Sequence, residues 1–422
     1  MIRKVLFNDE RLMSESTLSG QLIQFENCRL LRDHKVVEDD LWVEAGKILN
    51  PERIFFDRKQ SAHARVDCCG AIVAPGFIDI QINGAFGVDF SSFDGDEYDY
   101  CDKLKRVSHG LLQYGVTSYC PTVISSKPEL YHKVLPLLKP ASGSHSGAEV
   151  LGAHVEGPFI SRVKYGAHPL KNVCNSFEDC SDRDSLLDMY GEALPDCAIV
   201  TLAPELPNAL SAIDRLVNQY HLKVSLGHSA TALIPAERAV QAGASAITHL
   251  FNAMEPYHHR DPGLIGLLTS KYVPADKTVF YGIIADGIHT HDSALRIAHK
   301  THPDGLMVIT DAMAALGLGD GEHHLGDNVI QVNGHTAVLK GAKALAGSVS
   351  SMDYCVRHLM KAARCSAVEA LECATLHPAQ FLEISERKGT LDYFSDADFI
   401  LLDDALNVQA TFISGQLVWC AS

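Results

Sequence analysis

The chain has 422 residues, 46% of them hydrophobic and 21% charged, so it can bury a large core and is long enough for a barrel of about 250 residues plus a satellite domain. Its formal net charge of −16 argues against nucleic-acid binding, which needs a basic face, yet a few local Arg, His and backbone N–H groups could still hold a small anion. The 12 cysteines include no C-x-x-C pair, no apolar run reaches the roughly 18 residues of a membrane span, and Met1-Ile2-Arg3-Lys4-Val5 lacks an apolar leader, so a cytoplasmic protein with free thiols and no membrane partner is expected.

Residues 1–20 are polar, Ser-rich and without a period, and read as a flexible tail. Short β-type runs follow at 22–25, 40–43 and 71–73, with turn signals between them such as Glu44-Ala45-Gly46-Lys47 and Asn50-Pro51. Similar runs at 398–402, 408–412 and 417–419 lie at the far end. A small β-sandwich domain built from 21–74 and 379–422 is therefore expected to carry one large inserted domain, 75–378. Within the insert, apolar runs at 77–82, 116–120, 150–155, 198–203, 222–226, 245–248, 279–285 and 306–310 alternate with helical stretches such as 212–219 and 235–242. This alternation predicts an α/β fold, a (β/α)8 TIM-like barrel, whose chemistry lies on the loops after the strands. Beyond the last run, 330–332 and 337–339 flank Asn333-Gly334, a hairpin signal whose spacing suggests a turn slightly longer than two residues.

The strand ends carry the chemistry. The run at 150–155 stops on Glu156, which Gly157-Pro158 follows. The fifth run ends at Gly227-His228-Ser229 and the sixth at Thr248-His249. The seventh leads to Asp286-Gly287-Ile288-His289 and the eighth to Thr310-Asp311-Ala312. In a barrel these ends surround one mouth. Two His and one Glu are the ligand set of many catalytic zinc sites, which keep a fourth position for water. With 21 histidines in the chain, one strand-end His means little; His228 and His249 on adjacent strands facing Glu156 mean more. A bound divalent ion lowers the pKa of water from ~15.7 to ~7, roughly 12 kcal/mol toward hydroxide. Asp311 is placed to move the proton, and equally suits the N-cap of a helix starting Ala312-Met313-Ala314. The first strand ends Asp79-Ile80-Gln81-Ile82-Asn83, where two-metal amide hydrolases on this fold carry His-x-His. The fourth, Ile199-Val200-Thr201-Leu202-Ala203, has no Lys to bridge two ions, so one metal is the simpler reading.

These segments, His154-Val155-Glu156-Gly157-Pro158-Phe159, Gly227-His228-Ser229-Ala230, Thr248-His249-Leu250-Phe251-Asn252-Ala253-Met254, Ala285-Asp286-Gly287-Ile288-His289 and Thr310-Asp311-Ala312, resemble in order the N-acetylglucosamine-6-phosphate deacetylase family of the amidohydrolase superfamily, its animal forms above all. The resemblance implies one divalent metal ion per subunit on Glu156, His228 and His249, zinc first, with iron, cobalt or manganese as alternatives. It implies that Asp311 is the acid/base and that His168 steadies the oxyanion. Substrate contacts are implied for Ala167, Asn252, Ala253, Arg260, Asp286, Gly287, Ile288, His289, Leu345, Ala346 and Gly347, with Arg260 and the backbone at Asn252 and Ala253 on the phosphate side. The implied reaction is hydrolysis of the acetamide of N-acetylglucosamine 6-phosphate to glucosamine 6-phosphate and acetate, in amino-sugar recycling, by a homodimer. From the residues alone, His168 and Arg260 suit a surface loop as well, and His154 suits either the core or support of the site. Two rivals stay open: a single-metal amidohydrolase acting on a cyclic amide or N-acyl amino acid, which would need no phosphate contact, and a non-catalytic scaffold, which would have no reason to keep Glu156, His228, His249 and Asp311 together.

Overall fold

The structure of the protein, a computed structural model, describes residues 3–9, 12, 20–177, 185–274, 277–325, 328–339 and 345–421. Eight strands form the central barrel: β1 Phe77–Ile82, β2 Val116–Ile124, β3 His154–Glu156, β4 Ile199–Leu202, β5 Lys223–Leu226, β6 Ala246–Ile247, β7 Phe280–Ile284 and β8 Leu306–Ile309. Each pairs with the next in parallel. Parallel strands covered on both faces bury nearly every residue, as the six buried positions of β1 illustrate. Ile78, Ile80, Ile199, Ile284, Met307 and Ile309 pack together with Ala379 and Phe381 of the late helix Leu376–Phe381. Helices such as Ala209–Asn218 press Ala212, Ile213 and Leu216 against the strands.

The seam between β8 and β1 is held by loop and side-chain bonds. The Asp311 N–H donates to the Gln81 carbonyl at 2.8 Å and the Asn83 N–H to the Ala312 carbonyl at 2.8 Å. The Thr310 hydroxyl donates to the Asp79 carboxylate at 2.6 Å. These bonds settle one sequence alternative. No helix starts at Ala312, so Asp311 is not an N-cap. The Met313 N–H instead donates to Ser348 at 2.9 Å, in the last strand of an antiparallel sheet made of Gly321–Leu325, Asn328–Asn333, Thr336–Leu339 and Leu345–Ser348. The turn in this sheet is also shorter than expected: Asn333 pairs with Thr336, which leaves only Gly334 and His335 between the strands.

Two further sheets lie outside the barrel, the first built from the N-terminal end alone and the second from both chain ends. One runs Arg3–Leu6, Ala64–Asp67, Ile23–Glu26, Leu41–Glu44, Lys47–Ile48. The other runs Gln416–Cys420, Val408–Ile413, Phe399–Leu402, Ile72–Pro75, Arg29–Arg32, Lys35–Glu38. They share a core in which Phe25 meets Phe399 and Phe412 edge-on at 5.0 and 5.3 Å. The flexible tail expected over 1–20 is corrected at residues 3–6 only: Arg3–Leu6 is a strand parallel to Ala64–Asp67, with Val5 buried and Lys4 bridging Glu26 and Asp67. Its partner lies some sixty residues on, so no local pattern announced it. Most of 1–20 falls outside the described residues.

A buried ion cluster ties these sheets to the barrel. Lys388, 4% exposed, lies 2.9 Å from Glu149, which pairs beside β2, and contacts Asp398, just before Phe399–Leu402. Arg387 bridges Glu149 and Asp396 at 2.7 and 3.0 Å, and Lys47 reaches Asp396 at 2.6 Å. Removing one partner of a buried pair leaves an uncompensated charge. Lys388→Met should therefore lower unfolding free energy by about 3–5 kcal/mol, whereas Lys47→Ala, at a half-exposed pair, should cost under about 1 kcal/mol. Urea denaturation of the two variants measures both.

Candidate active site

All eight strands point the same way, so their carboxyl ends face one mouth. β3 ends on Glu156 itself, while β5, β6 and β8 run on to His228, His249 and Asp311. Those three residues adopt left-handed backbone, with φ of +47°, +29° and +45°. Such angles cost a residue with a Cβ of order 1–3 kcal/mol and collect at functional sites. They turn the chain off the strand at the residue bearing the functional group. Gly227 lets β5 come close enough to β6 for this: a Cβ there would lie 2.6 Å from that of Thr248.

Glu156, His228 and His249 converge, all buried. Glu156 Oε1 lies 3.3 Å from His228 Nε2 and 3.1 Å from His249 Nε2, and the two Nε2 atoms are 3.0 Å apart. His228 Nδ1–H donates to the Lys164 carbonyl at 2.9 Å, which leaves Nε2 as a lone pair facing the cluster. A carboxylate oxygen and imidazole lone pairs at this spacing repel unless a cation lies among them. Tetrahedral coordination at about 2.0–2.2 Å sets ligand atoms roughly 3.3–3.6 Å apart, close to the distances found, so the donor set fits a divalent ion.

The titratable groups at the mouth shift one another. Burial alone would raise Glu156, but His168, His228 and His249 outweigh it and hold the carboxyl well below its ordinary range. Burial, reinforced by His168, pushes His228 down to about 4. Burial also acts to lower His249, but the hydrogen bond and charge of Glu156 bring it above its ordinary value. Asp311 is pushed up to about 6 by burial and then by the charge of Glu156. Two amides mediate between these carboxylates. Gln81 Nε2 donates to Glu156 Oε1 at 2.8 Å and to Asp311 Oδ1 at 3.3 Å, and Asn83 Nδ2 donates to Asp311 Oδ1 at 2.7 Å.

His168 stands beside the cluster, its Nε2 3.4 Å from Glu156 Oε2. Its Nδ1 accepts from the Ser125 N–H at 3.2 Å, which puts the proton on Nε2, aimed at the mouth. His154 is not a ligand. Its Nδ1–H donates to the Ile80 carbonyl at 2.9 Å and its Nε2 accepts from the Thr201 hydroxyl at 2.8 Å. Thr201 in turn accepts from Thr248 at 2.7 Å, and Thr248 from Ser225 at 2.6 Å. A relay of hydroxyls from β4, β5 and the end of β6 thus supports the neutral imidazole on β3, whose pKa burial lowers.

The expected substrate residues divide. Asp286 is buried, accepts the N–H groups of Ile288 and His289 at 2.8 Å each, and lies 2.5 Å from His289 Nδ1. It thereby holds His289, whose pKa burial would lower but Asp286 raises. Asn252 Nδ2 is buried and without a partner among the described residues. Arg260, by contrast, is exposed on the loop 256–261 and makes no side-chain contact with the cluster among the described residues. Ala167 is exposed beside His168, and Gly347 lies in the strand that meets Met313, with φ +132°. The side chains of Leu345 and Ala346 fall outside the described residues. Sequence reasoning missed Ser125, the Lys164 carbonyl and the Thr201–Thr248–Ser225 relay. The one visible signal was polar residues inside strands that should be apolar throughout.

The sequence model of the Amidohydrolase family matches residues 72–418. The chain is 53% identical over 407 residues to human N-acetylglucosamine-6-phosphate deacetylase, covering 96% of this chain and 98% of that protein. It is 50% identical over 421 residues to the Caenorhabditis elegans N-acetylglucosamine-6-phosphate deacetylase, covering 100% of both. Among solved structures, a mutant N-acetyl-D-glucosamine-6-phosphate deacetylase from Mycobacterium smegmatis in complex with N-acetyl-D-glucosamine-6-phosphate aligns with a TM-score of 0.77 at 26% identity, covering 95% of this chain and 100% of that one.

The relay beneath the site is testable by itself. Thr201→Val removes the only hydroxyl among the described residues that donates to His154 Nε2 and leaves a buried acceptor unpaired. It should cost about 1–3 kcal/mol of stability, read by urea denaturation, with metal content near that of the parent. No loss would mean that the relay is dispensable.

Proposed function

We propose that this chain, which belongs to the amidohydrolase family and within it to the N-acetylglucosamine-6-phosphate deacetylases, hydrolyses the acetamide of N-acetyl-D-glucosamine 6-phosphate to D-glucosamine 6-phosphate and acetate. The observation that carries the reading is the buried meeting of Glu156 with two Nε2 atoms, joined through one amide to Asp311. When bound there, a divalent ion supplies Lewis acidity and an acidic water. Zinc suits the two imidazoles and carboxylate best, and iron, cobalt or manganese suit them too.

The chain's own groups do the rest. Gln81 and Asn83 both donate to Asp311 Oδ1, which leaves Oδ2 to take the proton of the attacking water and pass it to the leaving amine. A pKa raised to about 6 suits a group that must both accept and release that proton. His168 offers Nε2–H to the carbonyl oxygen as it gains charge. His289, whose pKa Asp286 raises, and the Nδ2 of Asn252, without a partner among the described residues, face the sugar phosphate as candidate donors. Arg260, whose guanidinium has no partner among the described residues, offers a fork that matches phosphate oxygens. A homodimer in the cytoplasm completes the reading; Cys28, Cys68, Cys120, Cys197, Cys355 and Cys373 are buried free thiols, which supports a reducing compartment.

Asp311→Asn keeps the ligand triad and should hold metal while kcat falls at least about 10²-fold; near-parental turnover would remove Asp311 from the mechanism. Arg260→Ala should cut kcat/KM for the phosphorylated sugar by about 10-fold or more while sparing N-acetylglucosamine. Equal losses on both substrates would separate Arg260 from the phosphate.

A further inference from the structure

β1 carries a buried carboxylate that no step above uses. Asp79 is 0% exposed, in a strand whose neighbours Ile78 and Ile80 pack in the barrel core. Burying a carboxylate there is costly unless its oxygens are engaged. They are. Oδ2 accepts from the Thr310 hydroxyl at 2.6 Å, and Oδ1 accepts from the N–H groups of Gln81 and Thr310 at 3.3 and 3.4 Å. The Thr310 oxygen in turn accepts from the Ala312 N–H at 3.3 Å. Asp79 therefore grips the residue before Asp311, and through Thr310 the residue after it. It also grips Gln81, whose carbonyl accepts the Asp311 N–H at 2.8 Å and whose amide donates to the Asp311 carboxylate. All this happens where β8 and β1 share no regular ladder and where Asp311 sits in left-handed backbone at φ +45°.

We propose that Asp79 is a positioning residue for the acid/base: through Thr310 and Gln81 it closes the β8–β1 seam and sets the Asp311 carboxylate against the metal-binding triad. The proposal rests on the reading of Asp311 as acid/base. A misplacement of about 1 Å in a reacting group costs on the order of 10²-fold in rate, so loss of this grip acts on kcat.

The test compares Thr310→Val, which keeps shape but loses the hydroxyl, with Thr310→Ser, which keeps the hydroxyl, and with Asp79→Asn, which sets an NH2 group against a donor. Thr310→Val and Asp79→Asn should each lower kcat about 10- to 10²-fold with KM and metal content within about 2-fold of the parent. Thr310→Ser should recover to within about 3-fold of the parent, and the Asp79→Asn/Thr310→Val pair should be no slower than the slower single variant. Parental kcat in Thr310→Val, equal losses in Thr310→Ser and Thr310→Val, losses that follow KM or metal content, or additive losses in the pair would each overturn the proposal. If Asp79→Asn does not fold, the two Thr310 variants decide alone. Asp311→Asn run alongside separates the two claims. An inactive Asp311→Asn beside a normal Thr310→Val rejects the positioning role only. An active Asp311→Asn rejects the acid/base reading, and the positioning role with it.

Discussion

A carboxylate buried at the mouth of a barrel is tolerable only if donors or cations surround it, and the upper half of this molecule is arranged around meeting that condition for Glu156. His228 and His249 approach one oxygen, His168 the other, and Gln81 donates to the first. These groups come from β5, β6, the loop after β3, and β1. To bring them together, the chain leaves two of those strands in left-handed turns and admits no side chain at Gly227. Below them the Ser225–Thr248–Thr201–His154 relay ties β5, β6, β4 and β3 at the level where the turns begin.

The neutral amides matter as much as the charged groups. Glu156 and Asp311 are like charges brought near each other, and Gln81 donates to both, with Asn83 adding a second donor to Asp311. Two amides thus do what a second cation would otherwise do. A mouth built this way has one candidate cation site beside one carboxylate that burial and the charge of Glu156 push up to about 6. That pairing suits a reaction in which one group polarises an amide and another shuttles a proton.

How far the sequence alone reached follows from which interactions are local. The eight apolar runs announced the barrel because parallel strands covered on both faces must be apolar throughout, and the residues breaking off those runs, Glu156, His228, His249 and Asp311, marked the mouth. The strand Arg3–Leu6 was illegible because its partner is distant, and the missing helix after Asp311 was illegible because Ala312 and Met313 bond to Asn83 and Ser348 across long loops. The supporting shell was hidden for a related reason. Ser125, the Lys164 carbonyl and Thr201 are ordinary residues whose role depends wholly on what lies across from them. Asp79 was in plain view as a charged residue in an apolar strand, but only its bonds to Thr310 and Gln81 say what it does.

The central claim is that one cation at the Glu156 triad and an intact phosphate side act together on one amide. Acetate release from N-acetylglucosamine 6-phosphate, run beside N-acetylglucosamine and with and without a chelator, tests it most directly. Fast release from the phosphorylated sugar is expected, abolished by chelation and restored by a divalent ion, with little release from the unphosphorylated sugar. Release that ignores the chelator, or that proceeds equally well without the phosphate, would contradict it.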